Sequence, residues 1–521
     1  MKRTNFIRQG AVTDTNSPIR SIVFAMLKED SIDYRSSSWK DQYYRKNVPL
    51  LYFLISKIIY DIFFRLILAI LLVFLPVLVD AQGSIQNINR EEALEDIQFL
   101  KKNLERSHPG MHRFTSKEEM DKAYAKTSNE LTDMSLFKFY GEVSKLLSLI
   151  RCGHTQPELP NRVLDFYLDD LMRIPFDVSF LDGKMVVSKD HSTDNKLERG
   201  SLIISIDGLK TEDILSEFFE RINGDGFVES FKYEYLELFF WILYPQYFIE
   251  SGLPQSYTVE YKRPFEETVR KVVVEGISPA SIAEKKDRQE KEMRSLKLED
   301  DYALLTIKTF TGGKSDKYYS FLKKSFKKIN GSGIKNLIID LRDNGGGADD
   351  YGIELVTYLA DSDFNYFDRI EVTEHYAGQS DRVKSENGRH YWPDHPGLAK
   401  WSPNEDRFQG NVYVLTNGIS FSTTADVASV LYDNQWATFI GQETGGGAYG
   451  NTSGHSTTIR LPNSKITVDL PYWKYFTALQ KEYPQGRGVI PDYIIIPTLK
   501  QFIDGVDVEM DKAISLIRSN K

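Results

Sequence analysis

Leu337-Ile338-Ile339-Asp340-Leu341-Arg342-Asp343-Asn344-Gly345-Gly346-Gly347 decides how the second half of this chain is read. An apolar, β-branched run that ends in charge and then in three glycines predicts a buried strand feeding a tight turn. Such glycines let the backbone approach a ligand closely and can aim N–H groups at an anion. As a phosphate loop the stretch is poor, because it lacks GxGxxG and no Gly-Lys-Ser/Thr follows. It remains open as a donor to an oxyanion hole, and equally as a plain strand-to-helix turn.

Working outward, strands and helices alternate. Strands are predicted at Tyr302–Lys308, Val412–Thr416 and Thr438–Gly441, and helices at Lys314–Lys328, about Tyr351 to Leu359, and Thr423 to Leu431. That alternation predicts an α/β domain with a largely parallel core. Within it, Asn417-Gly418-Ile419-Ser420-Phe421-Ser422-Thr423-Thr424-Ala425-Asp426 crowds small hydroxyl residues at a strand-to-helix junction. A serine at a helix N-terminus gains nucleophilicity from the dipole and nearby N–H groups. Ser and Thr also cap helices everywhere, so the junction alone carries two readings.

Upstream, Asn89-Arg90-Glu91-Glu92 opens a helix with Ala93, Leu94, Ile97, Leu100 and Leu104 at helical spacing, and His108-Pro109-Gly110 ends it. Thr115 or Ser116 caps a second helix, and Ser135 to Ile150 forms a third with Leu136, Phe139, Val143, Leu146 and Leu147 on one face. That helix runs into Gly153-His154-Thr155. A histidine is the usual general base at neutral pH, although a lone loop histidine is commonly incidental. From about Leu164 to Gly276 the pattern is strand-like, with a hairpin turn at Asp182-Gly183. Gly200 to Gly208 reads as a strand entering a tight turn, Phe218 to Phe248 as an aromatic-rich helical stretch, and Lys285–Arg294 as a solvated charged linker.

The bulk composition bounds the function. The formal charge of −9 argues against a nucleic-acid binder. The single cysteine, Cys152, excludes an intrachain disulfide and a multi-cysteine zinc site. Leu66–Val79 is apolar, is preceded by Lys57 and Arg65, and is followed by Val79-Asp80-Ala81 before Gln82. This predicts a signal peptide cleaved after Ala81 and export to the periplasm or the exterior, with an uncleaved anchor as the alternative membrane contact. The long leader before it fits a start at Met26. No metal or organic cofactor is implied, and the number of subunits stays open.

Taken together and in this order, these signals resemble the tail-specific and C-terminal-processing serine peptidases, in their tricorn-type Ser-His branch. The Asp-Leu-Arg-x-Asn-x-Gly-Gly motif is matched at Asp340 to Gly347, the nucleophile segment at Asn417 to Asp426, and the closing strand motif at Gly488-Val489-Ile490-Pro491-Asp492. The resemblance runs from about Glu91 to Pro497. It implies an α/β catalytic domain with a crotonase-like, ClpP-like β-α core at 281–521, preceded by a helical N-terminal domain at 82–160. A PDZ-like β-rich domain with an aromatic insertion would occupy 161–280, and the N-terminal extension and signal 1–81. It implies Ser422 as nucleophile, His154 as base, and the N–H groups of Gly346 and Thr423 as the oxyanion hole. The Lys-dyad branch carries a lysine where this chain reads Glu443-Thr444-Gly445-Gly446-Gly447-Ala448-Tyr449, so a Ser–Lys dyad is disfavoured. Gln485 stands where the branch has an orienting acid, with Glu482 nearby as the alternative. The expected substrate is a peptide or unfolded protein. A non-peptide ester or amide, or a peptide-binding protein with a degenerate site, are the rival readings.

Overall fold

A computed structural model describes residues 87–161, 163–165, 172–192, 194–248, 255–279, 292–312 and 317–519. The apolar run at 66–79, the cleavage point after Ala81 and most of the charged run 285–294 lie outside them. Residues 87–286 with 291–521 make one unit.

The alternating block builds a six-stranded sheet in the order Arg294–Leu298, Ala303–Ile307, Asn336–Asp340, Asn411–Thr416, Thr438–Gly441, Tyr493–Ile494. The first pair is antiparallel and every later pair parallel. Both faces are covered, which is why its strands read as continuous apolar runs. Leu337 and Ile339 point into one core with Leu322, Phe326 and Val427 of the helices Tyr318–Ser332 and Thr423–Asp433. Ile338 points into the other, against Ala513 and Ile517 of Val508–Ser519. The helix expected at about Tyr351 to Leu359 runs over Asp349–Thr357.

A second sheet pairs Lys384–Glu386, Arg389–Tyr391, Phe367–Val372, Thr467–Thr477 and Thr452–Arg460, all antiparallel. Against its last hairpin lie the three upstream helices, Arg90–Ser107, Lys117–Glu130 and Leu136–Ser148, capped by Asn89, Ser116 and Ser135. Leu100, Leu104, Phe139 and Leu146 share a core there with Leu461, Val468 and Leu470.

The third sheet is Phe176–Leu181, Lys184–Asp190, Leu202–Ile206, Ser256–Lys262 and Val269–Glu275, antiparallel throughout. Its hairpin turns at Asp182 (φ 52°) and Gly183 (φ 72°), the left-handed pair a two-residue turn needs. The aromatic stretch expected as helical from Phe218 to Phe248 is two helices, Thr211–Arg221 and Glu229–Phe248. The break falls at Asn223-Gly224-Asp225-Gly226, where Gly226 adopts φ 59°. An added Cβ there would sit 2.2 Å from the Gly486 carbonyl oxygen, so this loop presses on another backbone.

Candidate active site

The strand Asn411–Thr416 delivers the serine-rich turn, and hydrogen bonds to the preceding strand's turn hold it there. Asn417 Oδ1 accepts the Asp343 N–H (2.9 Å) and the Ile419 N–H (3.2 Å). Ser420 Oγ donates to the Leu341 carbonyl (2.9 Å), and the Phe421 N–H donates to the Asn344 carbonyl (3.1 Å). Ser422 then stands at the N-cap position of the helix Thr423–Asp433 with φ 56° and ψ −132°, and its side chain makes no capping bond. A non-glycine residue in such a region costs on the order of 1–3 kcal/mol, a strain that collects at functional sites. The capping reading of this serine therefore fails.

The hydroxyl instead meets His154, whose Nε2 lies 3.1 Å from Ser422 Oγ. The imidazole stacks on Phe421, with ring centroids 4.8 Å apart. Gly153 makes that approach possible, since a Cβ there would fall 2.6 Å from the Phe421 ring. Burial lowers the His154 pKa below its usual 6.5, opposed by the negative charges of Asp225 and Asp349. The imidazole is therefore neutral at neutral pH and able to accept a proton. When Nε2 accepts from the serine hydroxyl the ring proton sits on Nδ1, which is buried and has no hydrogen-bond partner among the described residues.

The glycine turn packs directly under the serine. Gly346 adopts φ 96°, and a Cβ on it would lie 2.7 Å from Ser422 Cβ and 3.0 Å from Thr423 N. The Thr423 N–H makes no hydrogen bond among the described residues. The Gly346 N–H donates to Asn344 Oδ1 (2.9 Å). Of the two expected oxyanion donors, one is free and the other is held by a side chain. Arg342 of the same motif is structural: it binds Asp340, Asp507 and Glu509, tying the strand end to the C-terminal helix.

Gln485 and Glu482 are both exposed, and neither hydrogen-bonds His154. Their segment contributes instead through backbone, the Gly486 carbonyl accepting the Phe227 N–H at 2.6 Å. The acid near the histidine is Asp225, which sequence reasoning passed over inside a presumed helix. The available signal was an aspartate between two glycines. One carboxylate oxygen of Asp225, one ring nitrogen of His154 and Cys152 Sγ lie within 4.8 Å of one another. The three are a conceivable metal set, but burial pushes the Cys152 thiol up to about 12 and its S–H donates to the Thr452 carbonyl. A protonated thiol is neither nucleophile nor good ligand.

Residues 301–495 match the family model described as Peptidase family S41. A comparison with curated proteins returns no match. Among solved structures, mature CPAF complexed with lactacystin aligns at TM-score 0.60 and 15% identity, over 83% of this chain and 99% of that one. Mature CPAF alone aligns at 0.58 and 15%, over 83% and 98%. The photosystem II D1 C-terminal processing protease aligns at 0.39 and 14%, over 80% and 98%. At this identity the likeness to CPAF is one of fold.

Proposed function

We propose that this chain, whose residues 301–495 match the model of peptidase family S41, is a peptidase of that family with Ser422 as its nucleophile and His154 as its general base. The family makes it a serine peptidase acting on peptides or proteins. The observation that carries the residue assignment is the 3.1 Å contact between His154 Nε2 and the hydroxyl of a strained, non-capping serine.

In this reading Ser422 Oγ attacks the scissile carbonyl carbon while its proton passes to His154 Nε2. The carbonyl oxygen becomes an oxyanion that accepts the Thr423 N–H, and also the Gly346 N–H once peptide draws it from Asn344. The C–N bond breaks as His154 returns the proton to the leaving amine. Water, deprotonated by the same imidazole, then releases the acyl group. The helices within 82–160 form an N-terminal domain, and the third sheet serves as a PDZ-like module that takes an extended peptide along an open edge. The 66–79 run directs export with cleavage after Ala81. N-terminal sequencing of protein recovered from outside the cytoplasm is expected to begin at Gln82, and an intact leader would sink that point.

Fluorophosphonate labelling tests the core of the reading. The wild-type protein is expected to label, and Ser422→Ala and His154→Ala are not. Lactacystin, which mature CPAF binds, is a second probe and is expected to compete. A folded wild type that stays unlabelled even with peptide present would identify a binding protein instead. The labelling rate also carries a pH signature. Because burial lowers the His154 pKa, the neutral base persists as pH falls below 6.5, so the acid limb lies under that value. A limb at or above 6.5 would contradict the buried, neutral base.

A further inference from the structure

We infer that Asp225 is the carboxylate that orients His154, a positioning role that rests on the reading of Ser422 and His154 as nucleophile and base. His154 Nδ1 is buried and has no hydrogen-bond partner among the described residues, which is a costly state for a polar atom. Asp225 is only 5% exposed, and its carboxylate comes within 4.8 Å of the imidazole. Catalytic hydrogen bonds of unliganded sites are commonly long and tighten when substrate binds.

The surroundings of Asp225 show a carboxylate held in place. Its Oδ1 accepts the Gly153 N–H at 2.8 Å, the amide immediately before the histidine. Its Oδ2 accepts the Gly447 N–H at 3.5 Å, from the glycine run that also packs on Ser422, where a Gly446 Cβ would sit 3.0 Å from Ser422 N. The loop carrying it grips the histidine segment on both sides. Gly226 N–H donates to the Arg151 carbonyl at 3.0 Å, and Asn223 Nδ2 donates to the Thr155 carbonyl. A carboxylate so fixed does what the third member of a serine triad must do. It holds the ring in the tautomer with the proton on Nδ1, and it stabilises the imidazolium formed when Nε2 takes the Ser422 proton. The exposed amide of Gln485 offers neither charge nor contact. The acid therefore comes from the loop between the two insertion helices, so the base is fully oriented only while that loop is docked.

Asp225→Asn is the decisive variant, because its amide oxygen can still accept the Gly153 N–H at 2.8 Å, so that only the charge and the long 3.5 Å contact with the Gly447 N–H are lost. Turnover of fluorescently labelled casein is expected to fall on the order of 10³–10⁴-fold in kcat, with KM little changed. The fluorophosphonate labelling rate of Ser422 falls alongside. Its acid limb moves to lower pH, because of the two carboxylates that face His154, Asp225 and Asp349, only the second still raises its pKa. Asp225→Glu, which restores the charge, recovers part of the rate. An Asn variant that labels at the wild-type rate with an unmoved limb would make Asp225 a structural anchor and overturn the inference. Should both variants fail to fold, the wild type decides. Its proton spectrum at low pH is expected to hold a far-downfield ring N–H resonance absent from His154→Ala, and its absence counts against the inference. If Ser422→Ala or His154→Ala labels like wild type, the underlying reading has failed. If both lose labelling while Asp225→Asn does not, only the role of Asp225 has.

Discussion

Ser422→Ala and His154→Ala each lower kcat on labelled casein by on the order of 10⁶-fold, and the double variant falls no further. In the proposed mechanism the two atoms 3.1 Å apart perform one act, the transfer of a proton from Oγ to Nε2 as Oγ attacks. Without the hydroxyl the imidazole has nothing to activate. Without the imidazole the hydroxyl remains a weak nucleophile, since among the described residues no other base lies within hydrogen-bond reach of it. Either deletion thus leaves the same remnant, peptide binding and the oxyanion donors, worth roughly 10³–10⁴-fold over the uncatalysed reaction. Four proteins assayed in parallel for kcat and KM give the answer. Losses that multiply in the double variant would mean that the two residues act independently, and a Ser422→Ala protein with near-native turnover would put the nucleophile elsewhere.

The parts of this site that the sequence revealed are those that local chemistry dictates. A buried parallel strand must be apolar on both faces, so Leu337–Ile339 announced itself. The helices from Arg90 to Ser148 were legible because their caps and apolar spacing are local too. The meeting of His154 with Ser422 is different, since 268 positions separate them and no local pattern encodes the approach. Only the resemblance to a family linked them. The same resemblance drew attention to Gln485, which stands just before the closing motif in the place of the family's orienting acid but is exposed to solvent. Asp225 was missed because aromatic residues on either side masked a loop, and its value arises wholly from tertiary contacts with Gly153 and Gly447. The second sheet was also illegible. Its long strand Thr467–Thr477 contains Pro471, which argues against a strand interior, and beyond its hairpin partner Thr452–Arg460 it pairs with Phe367–Val372, about a hundred positions away.

Gly346→Ala is expected to cost on the order of 10³-fold in kcat while its neighbour Gly345→Ala costs little. The three glycines of the motif look equivalent in sequence and are not equivalent in space. A Cβ on Gly345 meets nothing within 4 Å. A Cβ on Gly346 falls 2.7 Å from the Phe421 carbonyl oxygen and 2.7 Å from Ser422 Cβ, and the residue sits at φ 96°. Both obstacles are backbone or the proposed nucleophile, so relief must come by moving the serine or the turn. Either movement separates Ser422 Oγ from His154 Nε2 or withdraws an oxyanion donor. The left-handed backbone adds about 1–2 kcal/mol of strain with an alanine, which lowers the melting temperature as well. The two effects separate in measurement, because Gly345→Ala reports what an extra methyl does to this turn in general. Comparable losses in both variants would mean that the turn acts as a whole. A Gly346→Ala enzyme of native activity would show that Thr423 N–H alone supports the oxyanion, with the Gly346 amide remaining on Asn344.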